Sequence, residues 1–173
     1  EAGVLENILT GSKDYHKIFL EIAGKNKEII EDKELLDELG EKVSAAIENK
    51  LHLFEKELEE QESLGTNMGK VSLLTQIVKY LSECEVSELN ISHEEVEFLV
   101  DKDVKRVEST QKYFRQFYGS LDAVKQLIPL VAENANEEQK NLEIADELEK
   151  EMLSYQEVFA TIIQDELIIE ADV

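Results

Sequence analysis

Residues 145–163 read ADELEKEMLSYQEVFATII, and their spacing decides the fold. Ala145, Leu148, Met152, Tyr155, Phe159 and Ile162 recur at alternating steps of three and four. Steps of that size return a side chain to the same side of an α-helix after one turn. Strict three-four alternation is the spacing of a coiled-coil-like seam. Six of the thirteen remaining positions are acidic or Gln, as expected of a face turned to water.

The same rhythm extends outward on both sides. A last helix is predicted from residue 137 to about 169. Before it, Asn134-Ala135-Asn136 reads as a turn and cap, and Pro129 marks a kink or an end near residues 125–128. A helix from 93 to about 128 carries Val96, Val100, Val104, Val107, Phe114, Tyr118, Leu121, Val124 and Ile128 on one face. Ser92 followed by Glu95 matches a capping box and places the start of that helix. Val71, Leu74, Ile77, Val78 and Leu81 set a shorter helix over 70–84. The stretch 64–69, Leu-Gly-Thr-Asn-Met-Gly, is the clearest loop. A long helix is expected over 27–63. Another is expected over 4–23, with Leu5, Ile8, Leu9, Ile18, Phe19 and Ile22 on its buried side, Gly11-Ser12 interrupting it and Gly24 to Asn26 ending it.

No segment reads as a strand. The long helices would each span roughly 50 Å or more at 1.5 Å per residue. Long neighbours joined by short loops predict an all-α fold: an elongated antiparallel four- or five-helix bundle with coiled-coil-like packing, in one domain over 1–173. The expected core is Leu39, Val43, Phe54, Leu74, Val78, Val100, Val107, Phe114, Leu121, Leu148, Met152, Phe159 and Ile162.

Composition narrows the function classes. The 173 residues hold 40 acidic and 18 basic side chains, a net charge of −22. Such a surface repels phosphate backbones and anionic headgroups, so neither nucleic acid nor an anionic membrane is an expected partner. One cysteine permits no internal disulfide. No apolar run reaches membrane-spanning length. The chain opens on Glu1 rather than Met, so a leader or anchor outside it is allowed for, and the localisation stays open.

The residues give little to catalysis. None of His16, His52 and His93 has Glu three residues before it, as a di-iron bundle site would require. Glu48 and His52 share a helix face, but two ligands do not make a metal site. Glu83 and Glu85 flank Cys84 and disfavour its thiolate. Phosphate-binding glycine loops and nucleophile elbows are missing. The expectation is a protein without enzymatic activity, cofactor or metal.

Two features rise above this background. Residues 101–125 carry 6 basic and 4 acidic side chains, whereas residues 136–173 carry 2 and 12. Lys102, Lys105, Arg106, Lys112 and Arg115 therefore form a candidate interaction surface for an acidic partner or for another copy's acidic helix. Tyr113, Phe114, Phe117 and Tyr118 cluster within six residues. With Tyr155 and Phe159 they line either a pocket or a thick core layer. The expected function is a protein-binding or scaffolding module. The alternative is an extracytoplasmic lipoprotein or receptor sensor domain that holds a small ligand between helices.

Overall fold

The computed structural model describes the backbone of residues 2–65 and 67–171, with side chains for residue 13, 16–65 and 67–169. Within these the protein is all-helical, with four helices: α1 (Ala2–Leu64), α2 (Met68–Asp101), α3 (Val104–Val131) and α4 (Ala135–Ala171).

Three short connections join them, each capped by its own side chains. Gly65 takes the left-handed conformation (φ 62°) that ends α1, and its N–H is shared by the carbonyls of Gln61 and Glu62. Asn67 caps α2, its Oδ1 accepting from the N–H of Lys70 at 3.1 Å. Asn134 starts α4 by accepting from the N–H groups of Asn136 and Glu137, and Glu137 and Glu138 then favour the positive end of the helix. The loop at 64–69 and the turn at Asn134 lie where the sequence puts them.

The connection between α2 and α3 does not. The capping box at Ser92 and Glu95 starts no helix; both residues lie inside α2. The chain turns ten residues later, at Lys102 and Asp103. Lys102 adopts φ 56° and returns its N–H to the carbonyl of Phe98 at 2.8 Å. Asp103 caps α3, its Oδ1 accepting from the N–H of Lys105. Glu95 is a buried side chain, bonded in the core rather than to the amide of Ser92. A local signature thus yields to burial of the whole α2 face.

Two other breaks are absent. α1 runs on through Gly11-Ser12 and through Gly24 to Asn26. A mid-helix glycine costs only about 1 kcal/mol against alanine, too little to stop a long helix. Pro129 lies in the last turn of α3, which continues to Val131.

The chain packs as two compact units, one of residues up to Asp37 with those from Glu157 onward, the other of Glu38–Gln156. In the first, Ile29, Leu36, Phe159 and Ile162 are buried, and Lys25 pairs with the buried Asp165. Ile18 and Phe19, expected to be buried, are exposed, and the side chains of Leu5, Ile8 and Leu9 lie outside the described residues.

In the second unit the core draws on all four helices. It holds Val43, Ile47 and Phe54 from α1, and Leu74, Ile77, Leu81, Cys84, Ile91 and Phe98 from α2. Phe114, Phe117, Leu121, Val124 and Ile128 come from α3, and Ala145, Leu148, Met152 and Tyr155 from α4. Cys84 meets the carbonyl of Phe117, Glu83 bonds Ser120, and Glu94 bonds Arg106, so α2 and α3 run in opposite directions. A Cβ built on Gly40 would stand 3.4 Å from the Tyr155 ring, so α1 passes close to that ring. Of the expected core, Val100 is 80% exposed, and Leu39, Val78 and Val107 are only half-buried.

Candidate interaction surface

The buried positions of α2 beyond Leu81 are Cys84, Ser87, Glu88, Ile91, Glu95 and Phe98. Three of the six are polar. Burying a carboxylate is unfavourable unless it finds a partner. Glu95 finds one, because the Tyr155 hydroxyl donates to its Oε2 in a short contact. Ser87 donates to the carbonyl of Glu83 at 2.7 Å. Glu88 is less well served: its Oε2 is buried without a hydrogen-bond partner. Burial, with repulsion from Glu85, pushes its pKa above the usual carboxylate range.

This polar inward face displaces apolar residues to the opposite side. Val86, Leu89, Val96 and Val100 are each more than half exposed. With the exposed His93 they step by three, four, three and four, which sets them in one stripe along the outside of α2. Val100 was expected in the core and Val96 on the same apolar face, and both are exposed. Beside the N-terminal end of the stripe, between α2 and α3, a cleft of about 750 Å³ is lined by Tyr80, Glu83, Val86, Ser87, Gln116 and Gly119, among others. The stripe has no run of apolar residues to announce it. It becomes legible only when 84–100 is read as one helix carrying two three-four patterns, and when the pattern containing charges is the buried one.

The basic residues of 101–125 do not share one condition. Arg106 is committed within its own chain: its guanidinium reaches Glu94 at 3.1 Å, Glu97 at 3.2 Å and Asp101 at 3.4 Å. Glu94 above all holds its pKa up. The Asp101 carboxyl lies below its usual range because it accepts from the N–H of Asp103 and from Arg106. Lys102 forms the α2 cap, and its Nζ lies 5.8 Å from the centre of the Phe98 ring. Lys105, Lys112 and Arg115 are exposed, and Lys112 lies over the Tyr113 ring at 5.7 Å.

The aromatic cluster also divides. Phe114 and Phe117 are buried on α3, and Phe114 meets Tyr155 with ring centres 6.2 Å apart. Tyr113 and Tyr118 are half-buried, and the Tyr118 hydroxyl donates to Gln156 at 3.0 Å. Phe159 is buried in the other unit.

Elsewhere, Lys50 is buried on α1. It donates to Asn141 Oδ1 at 3.2 Å and lies 5.6 Å from the centre of the Phe54 ring. Burial, with Lys140 adding repulsion, lowers its pKa to about 8. The Cys84 thiol is pushed up to about 12 by burial and by Glu83, which leaves it a poor nucleophile. Among the described residues no group of three or more His, Cys, Asp or Glu side chains is arranged to hold a metal ion. No described helix is long and apolar enough to cross a membrane.

The arrangement offers an apolar ridge along α2, edged by the carboxylates of Glu94, Glu97 and Asp101, whose charge Arg106 offsets in part. No family model, curated protein or solved structure matches the chain.

Proposed function

We propose that this chain is a non-catalytic protein-binding or scaffolding module. In this reading it is an elongated antiparallel bundle with coiled-coil-like packing, and the outward face of α2 is its docking surface. One observation carries the reading. Val86, Leu89, Val96 and Val100 keep an apolar three-four stripe on the solvent side of a helix whose buried side contains two carboxylates. Water exposure of that stripe wastes the hydrophobic driving force, and a partner helix seated on it recovers that force. The lysines near the corner between α2 and α3 then flank the seat rather than form it. The alternative of a sensor domain with a ligand among the aromatics gains nothing from Phe114 and Phe117, which are packed against neighbours.

The test is site-directed photo-crosslinking in cells that make the protein. A photoreactive residue at Leu89 or Val96 should yield protein adducts, whereas one at the exposed Gln111 of α3 should yield far fewer. Equal labelling at the three positions, or none, would remove the α2 face as a docking surface.

A further inference from the structure

We propose that Lys50 is a site of carbon dioxide uptake: its side-chain amine binds CO2 as a carbamate beside the cleft between α1 and the start of α4. The inference is independent of the docking reading above. Among the described residues Lys50 is the one buried lysine, 5% exposed. Lys25, Lys33, Lys70 and Lys125 each pair with a carboxylate. Lys50 pairs with none among the described residues; its Nζ has Asn141 Oδ1 at 3.2 Å and the Phe54 ring. An ammonium held there lacks a counter-charge, and Lys140 repels it further. Both effects favour the neutral amine, whose lone pair is a nucleophile.

The surroundings choose the reagent. Asn141, which holds Nζ, also lines an open cleft of about 650 Å³ with Asn49, His52, Leu53 and Lys140, among others. A buried amine is reached by a small molecule and not by a bulky one. Anionic acyl donors are disfavoured as well, since a chain of −22 repels them. Carbon dioxide is small, apolar and uncharged. The Nζ lone pair attacks its carbon, one C–O bonding pair moves onto oxygen, and a proton passes from nitrogen to water. The product is an N-carboxylate with one negative charge, formed without oxidant or reductant. Charge then favours the product, because the carbamate attracts the lysine that the ammonium repelled. Of the carboxylates on the same cleft, Glu57 and Glu133 are held by Lys70, and Glu137 accepts from the N–H of Glu133. Glu60 lies ten residues along α1 from Lys50, roughly 15 Å away. Carbon dioxide thus replaces an uncompensated buried cation by an attraction between α1 and α4, and stabilises the folded chain alone.

Carbon-13 NMR in labelled bicarbonate at about pH 8, where the Lys50 amine is half neutral, tests this. The wild type should show a carbamate resonance that Lys50→Met loses with an unchanged helical spectrum. Lys140→Gln should weaken it several-fold, since the substitution removes both the repulsion that frees the amine and the counter-charge of the product. Alkylation of the carbamate followed by peptide mapping should place the ester on Lys50. At fixed pH and ionic strength, bicarbonate should raise the Tm of the wild type and leave that of Lys50→Met unchanged. No carbamate on Lys50, or a resonance that Lys50→Met retains in full, overturns the proposal. An adduct indifferent to Lys140→Gln, or a wild-type Tm indifferent to bicarbonate, overturns the pairing of the product with Lys140.

Discussion

Glu88 offers the sharpest test of the core. Its side chain is buried in α2, Oε2 has no hydrogen-bond partner, and burial followed by repulsion from Glu85 raises its pKa. An unpartnered buried polar atom costs roughly 1–3 kcal/mol. Glu88→Met keeps the length of the side chain and removes the polarity. The variant should gain about 2 kcal/mol at pH 7, or roughly 4–8 °C in Tm for a chain of this size. The pH dependence supplies the check. A carboxyl whose folded pKa is raised keeps its proton more tightly folded than unfolded. Its favourable contribution is complete below the unfolded value of about 4.3 and is lost as pH rises through the folded one. The advantage of Glu88→Met should therefore be small near the unfolded pKa and grow toward neutrality. Urea unfolding of both proteins at a series of pH values measures it, and the difference cancels every other titrating group. A variant less stable than wild type, or a gain independent of pH, would mean that the carboxylate is satisfied in the folded protein, and the account of the α2 inward face would be wrong.

Other consequences are simpler to check. Phe114→Ala should cost about 3–5 kcal/mol by chemical denaturation, while Val100→Ala should change stability by less than about 0.5 kcal/mol, because one is core and the other is 80% exposed. Tyr155→Phe removes the donor that serves the buried Glu95 and should cost about 1–3 kcal/mol; in a double-mutant cycle with Glu95→Gln, an interaction energy near zero would show that the two do not share a bond. Lys50 has a folded pKa of about 8 against roughly 10.4 when unfolded. Between those values the unfolded chain holds the extra proton, so wild-type stability should rise with pH relative to Lys50→Met; a flat difference across that window would place Lys50 in contact with water.

The helical class was legible because α4 writes its seam in uninterrupted apolar residues. Ala145, Leu148, Met152, Tyr155, Phe159 and Ile162 are all buried as their spacing predicts. The turns at 64–69 and at Asn134 were legible because Gly and Asn do there what their backbone and side-chain chemistry favours. The corner at Lys102 was not, since a lysine at positive φ announces nothing in sequence. The capping box misled because Ser92 and Glu95 match a motif while their helix is fixed by Ile91 and Phe98 on the inside. The candidate surface was half legible. The basic stretch is visible in composition, but its capture of Glu94, Glu97 and Asp101 by Arg106 depends on how α2 and α3 lie side by side. Of the apolar stripe, Val96 and Val100 were read, on the apolar face of a helix starting at 93, and Val86 and Leu89 were not; hydrophobicity alone prefers valines to a Ser, two Glu and a Cys.

That preference has a kinetic meaning. A helix with two apolar faces has two ways to collapse. Early in folding, Val86, Leu89, Val96 and Val100 can turn inward and leave Glu88 and Glu95 in water, a trap that solvates both carboxylates. The native rotation is held by Ile91, Phe98 and the bond from Tyr155 to Glu95. Such competition is local frustration, and a populated misrotated state would show as a folding limb that rolls over at low denaturant.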